Sequence, residues 1–207
     1  MRRGIPIVIS AASGTGKTSL CRRLLETVSH VTRSISFTTR PPRGDEKDGR
    51  DYFFVDDEVF AGMVLRNEFI EWAEVFSNRY GTGFEAVLAQ LDQGLDVLLD
   101  IDVQGGMQIR DRLPEALLVF LLPPSMGELR RRLVNRGTDD PEIIEARLAK
   151  ARTEIERAQN YEFLVVNDDF EQAAADLRAI VRTRRISMNR PDSLLAALVG
   201  EPSQKKI

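Results

Sequence analysis

Residues 5–20 read IPIVISAASGTGKTSL and contain the most informative motif of the chain. The apolar run from Ile5 to Ile9 is followed by a loop with two glycines and then by the apolar spacing of a helix. This order of strand, loop and helix is the context of a phosphate-binding loop. Glycines let successive N–H groups point at phosphate oxygens, and the start of the helix adds partial positive charge. We therefore predict that this segment binds a nucleotide.

Individual loop residues have distinct expected roles. Lys17 can reach a transferable phosphate, and the hydroxyl of Thr18 can bind Mg²⁺. The motif usually has its first glycine at position 11, where this chain has alanine. Alanine can serve there if the backbone φ at this position is negative. The alternative, a glycine-rich turn with a chance Lys-Thr pair, is disfavoured by the flanking strand and helix. The predicted nucleotide contacts are Ala11, Ala12, Ser13, Gly14, Thr15, Gly16, Lys17, Thr18 and Ser19.

Four short apolar runs predict strands. They span residues 5–9, 97–101, 116–122 and 163–166. Runs that do not alternate with polar residues suit strands buried on both faces, and helical patterns separate these runs. The predicted fold class is therefore α/β, a P-loop NTPase-type parallel sheet flanked by helices.

Two segments differ from this core. Residues 36–97 are rich in charge, aromatic residues and turn signals, and residues 125–159 are helical in pattern and highly charged. We expect a core over residues 1–35 and 98–124, an insert at each of the two segments, and core with C-terminal helices over 160–207. Ser125 and Asp140-Pro141 are predicted helix starts. The tail has a short apolar patch, Leu194, Leu195 and Leu198.

Composition restricts the classes of function. The 207 residues are 43% hydrophobic and 29% charged, an ordinary globular balance, and the net charge is −3. Nucleic-acid binding usually needs a basic face, so no nucleic-acid partner is expected. Cys21, the single cysteine, cannot form an intramolecular disulfide and is expected to be structural. Apolar runs are too short for a signal peptide or a membrane span, which predicts a cytoplasmic protein without a membrane partner.

Asp100 and Asp102 follow the second apolar run. A carboxylate at the carboxyl end of a central strand faces ligands in the crevice and can orient hydrated Mg²⁺. Two alternatives remain. Residues 100–105 partly mimic a calcium loop, with Asp111 in the last ligand place, and strand-end aspartates are often simply solvated.

The chain beyond the phosphate loop resembles the guanylate kinase family. The matching stretches are SFTTRPPR at 36–43, DGRDYFF at 48–54, NEFIEWA at 67–73, RYGT at 79–82, LDIDVQG at 99–105 and VVND at 165–168. They occur in order from about residue 5 to residue 185. The segment around Arg40 is more diagnostic than the phosphate loop, which many NTPases share.

The resemblance implies the reaction ATP + GMP → ADP + GDP with Mg²⁺, with dGMP as a further acceptor. It also implies that the first insert binds GMP and that the second insert is a mobile lid. Assembly into a homo-oligomer is compatible with the resemblance. The catalytic residues would be Lys17, Arg136 and Arg147. The metal would be held by Thr18 directly and by Asp100 through water. Asn167 would lie near adenine. By position, Ser36, Glu71, Thr82 and Asp102 would face guanine, and Arg40, Arg43, Tyr52 and Tyr80 would hold the GMP phosphate.

The chemistry of these residues suits that assignment. Guanine presents two adjacent donors, N1–H and N2–H₂, and the carboxylate of Glu71 can accept from both. Adenine has a bare N1 there, so its lone pair would meet a negative charge. Taken alone, Glu71 reads as an exposed glutamate beside Trp72, Arg40 and Arg43 as solvated arginines, and Tyr52 and Tyr80 as core tyrosines.

A helical stripe in the second insert carries a further arginine. Ile144, Leu148, Ala151 and Ile155 share one side of a helix with Arg147. An arginine beside an apolar face needs an anionic partner, which a phosphoryl group or an intramolecular carboxylate can supply. The sole histidine, His30, falls in a loop. No base is needed, because the phosphate of a nucleoside monophosphate, with a second pKa of about 6, is mostly a dianion at neutral pH.

Three other functions compete with this one. A related P-loop kinase with another small acceptor would keep Lys17 and the arginines of the lid but lose the guanine-facing set. Guanylate-kinase-like binding modules usually have degraded phosphate loops, whereas Gly14, Gly16, Lys17 and Thr18 are all present. A simple ATPase or GTPase would not explain residues 36–82.

Overall fold

The computed structural model describes residues 3–75, 77–137 and 140–187, so the apolar patch at Leu194, Leu195 and Leu198 lies outside the described residues. The strands are β1 Pro6–Ala11, β2 Val31–Arg33, β3 Phe37–Thr38, β4 Phe53–Phe54, β5 Phe69–Val75, β6 Asn78–Gly83, β7 Asp96–Asp100, β8 Leu117–Leu122 and β9 Phe163–Val166. The helices are α1 Lys17–Thr27, α2 Asp57–Leu65, α3 Phe84–Asp92, α4 Val103–Arg112, α5 Met126–Asn135, α6 Pro141–Glu156 and α7 Phe170–Ile186, with a 3₁₀ turn at Arg157–Asn160.

The central sheet is parallel and has the strand order β2-β7-β1-β8-β9. Its middle strand β1 pairs on both sides, with Ile7 opposite Leu98 of β7 and Leu117 of β8. The four apolar runs correspond to β1, β7, β8 and β9. The sequence contained no apolar run at β2, a three-residue strand at the edge of the sheet.

Helices cover both faces of this sheet. Ile7 and Ile9 point to one face and pack in a cluster with residues of α1 and α7. Val8, between them, belongs to the opposite cluster, which includes residues of α3 and α4. Burial on both faces explains why β1 is continuously apolar. The α/β fold class predicted from the sequence is confirmed.

A second sheet lies within the first insert, with strand order β4-β3-β6-β5. The pair β3–β4 is parallel, and the other pairs are antiparallel. Phe60 and Met63 of α2 pack with Phe69 of β5 beneath it. The register places Glu71 directly opposite Thr82, which brings two polar side chains together on neighbouring strands.

Helices α5 and α6 form the second insert. The Ser125 hydroxyl accepts a hydrogen bond from the amide of Glu128 at 3.0 Å, so the predicted cap starts α5. Asp140 is the N-cap residue of α6 and Pro141 its first residue, but the Asp140 side chain makes no capping hydrogen bond. The buried faces of the two helices pack together and against Ala12 of the phosphate loop.

The described residues, 3–75, 77–137 and 140–187, include no helix whose length and apolar character would let it cross a membrane.

Candidate active site

The phosphate loop joins β1 to α1. Gly14 and Gly16 have φ angles of 92° and 101°, a left-handed conformation that favours glycine. Ala11 is the last residue of β1, and extended backbone accommodates alanine there without strain. The missing first glycine therefore does not disturb the loop.

Lys17, the first residue of α1, lies at the carboxyl end of β7. Its Nζ is 2.9 Å from Oδ1 of Asp100 and donates a hydrogen bond to the carbonyl oxygen of Ile101 at 2.7 Å. Burial alone would lower the pKa of Lys17, but the adjacent Asp100 carboxylate offsets this effect and holds the pKa above its usual value. The amine is therefore a fixed positive charge beside the loop.

The side chains of Thr18 and Asp100 offer oxygen atoms that are suitable ligands for Mg²⁺. Thr18 is exposed in the first turn of α1, and Asp100 ends the neighbouring strand β7. Mg²⁺ prefers oxygen ligands and retains several waters and substrate phosphates, so one hydroxyl and one carboxylate fit its requirements. No group of three or more acidic, histidine or cysteine side chains suited to a metal occurs among the described residues.

The calcium-loop interpretation of residues 100–111 is wrong. Val103–Arg112 is helix α4, and Asp102 is its N-cap residue. Oδ1 of Asp102 accepts a hydrogen bond from the amide of Gly105 at 2.9 Å. The segment is therefore a strand end followed by a helix, which cannot wrap around a calcium ion.

Asn167 contacts the phosphate loop from the side. It is only 6% exposed, and its Nδ2 donates a hydrogen bond to the carbonyl oxygen of Thr15 at 2.6 Å. A Cβ atom on Gly16 would lie 2.5 Å from the same nitrogen, so this glycine also gives Asn167 its room. The side chain predicted near adenine thus supports the loop backbone.

Arg132 is a further residue at the loop that the sequence did not single out. Its guanidinium donates to the carbonyl oxygens of Asn167 at 3.0 Å and of Thr15 at 3.4 Å. Glu128, one turn earlier on α5, holds Nε of Arg132 at 2.8 Å. The only sequence signal was this i,i+4 spacing, which the neighbouring Arg130 and Arg131 obscured.

A cavity of about 240 Å³ opens between the second sheet and the end of β7. It brings together most of the residues predicted to face GMP, together with Asp100. Its lining consists of Ser36, Tyr52, Glu71, Ala73, Val75, Tyr80, Asp100, Ile101 and Asp102. Because Lys17 is bound to Asp100, the cavity adjoins the phosphate loop.

Glu71 is the central acidic group of this cavity. It is 4% exposed, so its interpretation as an exposed surface glutamate is wrong. Thr82 does not line the cavity but lies behind Glu71, and its hydroxyl donates to Oε1 at 2.5 Å. Thr82 therefore orients the carboxylate.

Burial raises the pKa of Glu71 to about 7; the Thr82 hydrogen bond opposes this shift, and the charge of Asp102 adds to it. Since the folded pKa exceeds the ordinary value of 4.5, the folded chain binds the extra proton between these two values. Stability from the neutral carboxyl is complete below pH 4.5 and is lost as the pH rises through 7.

We expect Glu71→Gln, which cannot ionise, to lack this pH dependence. Relative to this variant, the wild-type protein should lose about 3 kcal/mol of unfolding free energy between pH 4.5 and pH 8. Urea unfolding of both proteins across this range measures the difference, and all other titrating groups cancel. Parallel pH profiles would contradict the raised pKa.

The arginines of the first insert differ in environment. Arg40 is 5% exposed, so it is not a solvated arginine, and its guanidinium lies 5.4 Å from the centre of the Tyr52 ring. Its Nη2 is 3.0 Å from Glu46, and its Nη1 donates to the carbonyl oxygen of Pro41. Arg43 is exposed.

Tyr52 and Tyr80 both line the first cavity, with ring centres 6.0 Å apart. They are half-buried and are therefore not core tyrosines.

A second cavity of about 550 Å³ separates the first insert from α6. Its lining consists of Arg43, Val75, Asn78, Tyr80, Ile143, Ala146, Arg147 and Lys150. Arg147 thus faces Arg43 and Tyr80 across a space. Arg136 is exposed at the C-terminal end of α5 and is not among the residues that line either cavity.

Comparison with known proteins agrees with this geometry. The family model described as guanylate kinase matches residues 3–184. A guanylate kinase of Alkalilimnicola ehrlichii is 51% identical over 93% of this chain and 95% of its own length. A guanylate kinase of Neisseria meningitidis serogroup B is 50% identical over 96% and 97%. The crystal structure of guanylate kinase from Anaplasma phagocytophilum, 34% identical, superposes with a TM-score of 0.80 over 97% of this chain and 96% of that one. The chain belongs to the guanylate kinase family.

Proposed function

We propose that this protein transfers the γ-phosphoryl group of ATP to GMP, giving ADP and GDP. The observation that carries the proposal is the buried Glu71 carboxylate, braced by Thr82, in a cavity that adjoins the Lys17–Asp100 pair. In this proposal residues 36–97 bind the acceptor, and residues 125–159 act as a lid that closes over both nucleotides.

Guanine selection follows from the donors and acceptors in the cavity. A carboxylate at Glu71 accepts from N1–H and N2–H₂ of guanine, whereas adenine offers no donor at N1. Because the Thr82 hydroxyl already donates to Glu71, Ser36 is the hydroxyl left to donate to O6. Asp102 borders the same cavity as a second acceptor. We propose dGMP as an acceptor too, because these contacts involve the base and not the ribose.

The acceptor phosphate would be held by Arg40, Arg43, Tyr52 and Tyr80. Two guanidinium groups suit a dianionic phosphate, and the tyrosines supply hydroxyl donors. Arg40 is stiffened by its contacts with Glu46 and the Tyr52 ring, which reduces the freedom lost on binding. The acceptor phosphate, already a dianion, then faces the donor without a general base.

Charge neutralisation would complete the transfer. Lys17 exchanges Asp100 for the ATP phosphates, and Arg147 and Arg136 approach from the lid as it closes. Thr18 and, through water, Asp100 would hold Mg²⁺, which when bound supplies charge neutralisation at the β- and γ-phosphates. Closure excludes water, which would otherwise hydrolyse ATP. Arg132 and Asn167 maintain the loop by binding the Thr15 carbonyl.

An ADP-release assay with GMP, dGMP, AMP, CMP, UMP and a sugar phosphate tests the proposal. We expect rapid release with GMP and a kcat/KM for AMP that is lower by roughly 10⁴-fold, since AMP leaves buried polar groups unpaired. Preference for another acceptor would indicate a different P-loop kinase. Release without any acceptor would indicate an ATPase, and no release with all six would indicate a binding module.

A further inference from the structure

Gly105 is an unexpected residue for its place in the fold. It is the third residue of α4, after the N-cap Asp102, a position where glutamate or glutamine is favoured and glycine weakens the helix. Its φ angle does not lie in the left-handed range that favours glycine. Backbone conformation therefore does not explain the absence of a side chain here.

Space beside Glu71 does explain it. A Cβ atom on Gly105 would lie 2.5 Å from Oε2 of Glu71, closer than real Cβ contacts allow, and a tight 3.1 Å from its Cδ. The Glu71 carboxylate is almost fully buried and is held on its other oxygen by Thr82. A shift of Oε2 away from position 105 therefore turns a carboxylate that Thr82 holds in place.

The same glycine also contacts the second acidic group of the cavity. Its amide donates to Oδ1 of Asp102 at 2.9 Å. Gly105 thus leaves space for the Glu71 carboxylate because it has no side chain, and it orients Asp102 through its backbone amide. The start of α4, with its partial positive charge, lies against both carboxylates.

We infer that Gly105 is a positioning residue that sets the selectivity for guanine, an inference that rests on the proposed function. Accepting from N1–H and N2–H₂ together requires both oxygens of Glu71 in one plane with the base. A methyl group at position 105 displaces Oε2 and breaks this pairing. GMP should suffer more than inosine 5′-monophosphate, whose base lacks the exocyclic amino group.

The test compares Gly105→Ala with the wild-type protein, using both acceptors. We expect the ratio of kcat/KM for GMP to that for inosine 5′-monophosphate to fall by about 10-fold or more, mainly through KM for GMP, with KM for ATP unchanged. A loss of stability alone would not produce this split between acceptors.

Two other helical glycines, Gly106 and Gly127, provide matched controls. Gly106→Ala is one residue further along α4, but its Cβ would meet the Tyr161 hydroxyl and Ser10, so it should lower Tm without changing the acceptor ratio. Gly127→Ala in α5 meets only the Ser125 hydroxyl at 3.7 Å and should change neither.

Shortening the carboxylate should relieve the clash. In a Glu71→Asp background, Gly105→Ala should lower the ratio of kcat/KM for GMP to that for inosine 5′-monophosphate by a smaller factor than in the wild-type background. A double-mutant cycle measures this coupling. If Glu71→Ala lowers the ratio but Gly105→Ala does not, the inference about Gly105 is overturned and the proposed function stands. If Glu71→Ala leaves the ratio unchanged, Glu71 does not read the amino group of guanine and the inference is overturned, whereas the proposed function itself fails only if the wild-type protein does not phosphorylate GMP. Failure of Gly105→Ala to fold in both backgrounds would give Gly105 a structural role and would also overturn the inference.

Discussion

Lys17→Ala is expected to lower kcat by roughly 10³-fold while the protein remains folded. The Lys17 ammonium lies at the start of α1 beside the phosphate loop, where it can follow the charge that moves from the γ-phosphate to the β-phosphate during transfer. In a site closed to water this charge is worth far more than at the surface. ADP release with saturating ATP and GMP measures the loss.

Stability needs a separate measurement in this variant. Without Lys17 the Asp100 carboxylate, whose side chain is 12% exposed, loses its cation, and we expect a cost on the order of 3 kcal/mol. Thermal unfolding should therefore show a lower Tm but one cooperative transition. Lys47→Ala removes an exposed lysine from the first insert and should preserve both kcat and Tm. Near-normal turnover in Lys17→Ala would remove Lys17 from the mechanism.

Local signals explain which parts of the fold the sequence could predict. The phosphate loop is readable because its glycines, strand and helix are contiguous, and the strands β1, β7, β8 and β9 are readable because central strands bury both faces. Strands β3 and β4 have two residues each, too few to show any periodicity. They exist because β6 pairs with β3, a contact that no local pattern encodes.

The site was predicted through resemblance and spacing, but its supporting contacts were not. Thr82 was expected to face guanine, yet strand register turns its hydroxyl onto Glu71. Asn167 reaches the Thr15 carbonyl across 152 residues of sequence, and Gly105 lies against Glu71 only because α4 starts beneath β5. Such contacts depend on how distant elements pack, so they are visible only in three dimensions.

Glu71→Ala is expected to reduce kcat/KM for GMP by roughly 10³-fold or more and to leave ATP binding almost unchanged. In the proposed function the carboxylate accepts from both guanine donors, and its truncation also leaves the Thr82 hydroxyl without its partner. ATP would bind at the loop around Lys17 and Thr18, on the other side of Asp100 from this cavity. Steady-state kinetics with varied GMP, together with calorimetry of a non-hydrolysable ATP analogue, separate the two effects.

Strand β5 itself offers the matched control. Glu74 is an exposed glutamate three residues along the same strand, so Glu74→Ala removes the same groups without reaching the cavity and should preserve GMP use. The pKa of Glu71 is about 7 before the acceptor binds, and GMP should bind the protein in which Glu71 is ionised. The affinity for GMP should therefore weaken as the pH falls below 7. In Glu71→Ala only the weakening from protonation of the GMP phosphate, whose second pKa is about 6, should remain. Equal losses of GMP and ATP binding would instead mean that Glu71 supports the whole cleft and does not read the base.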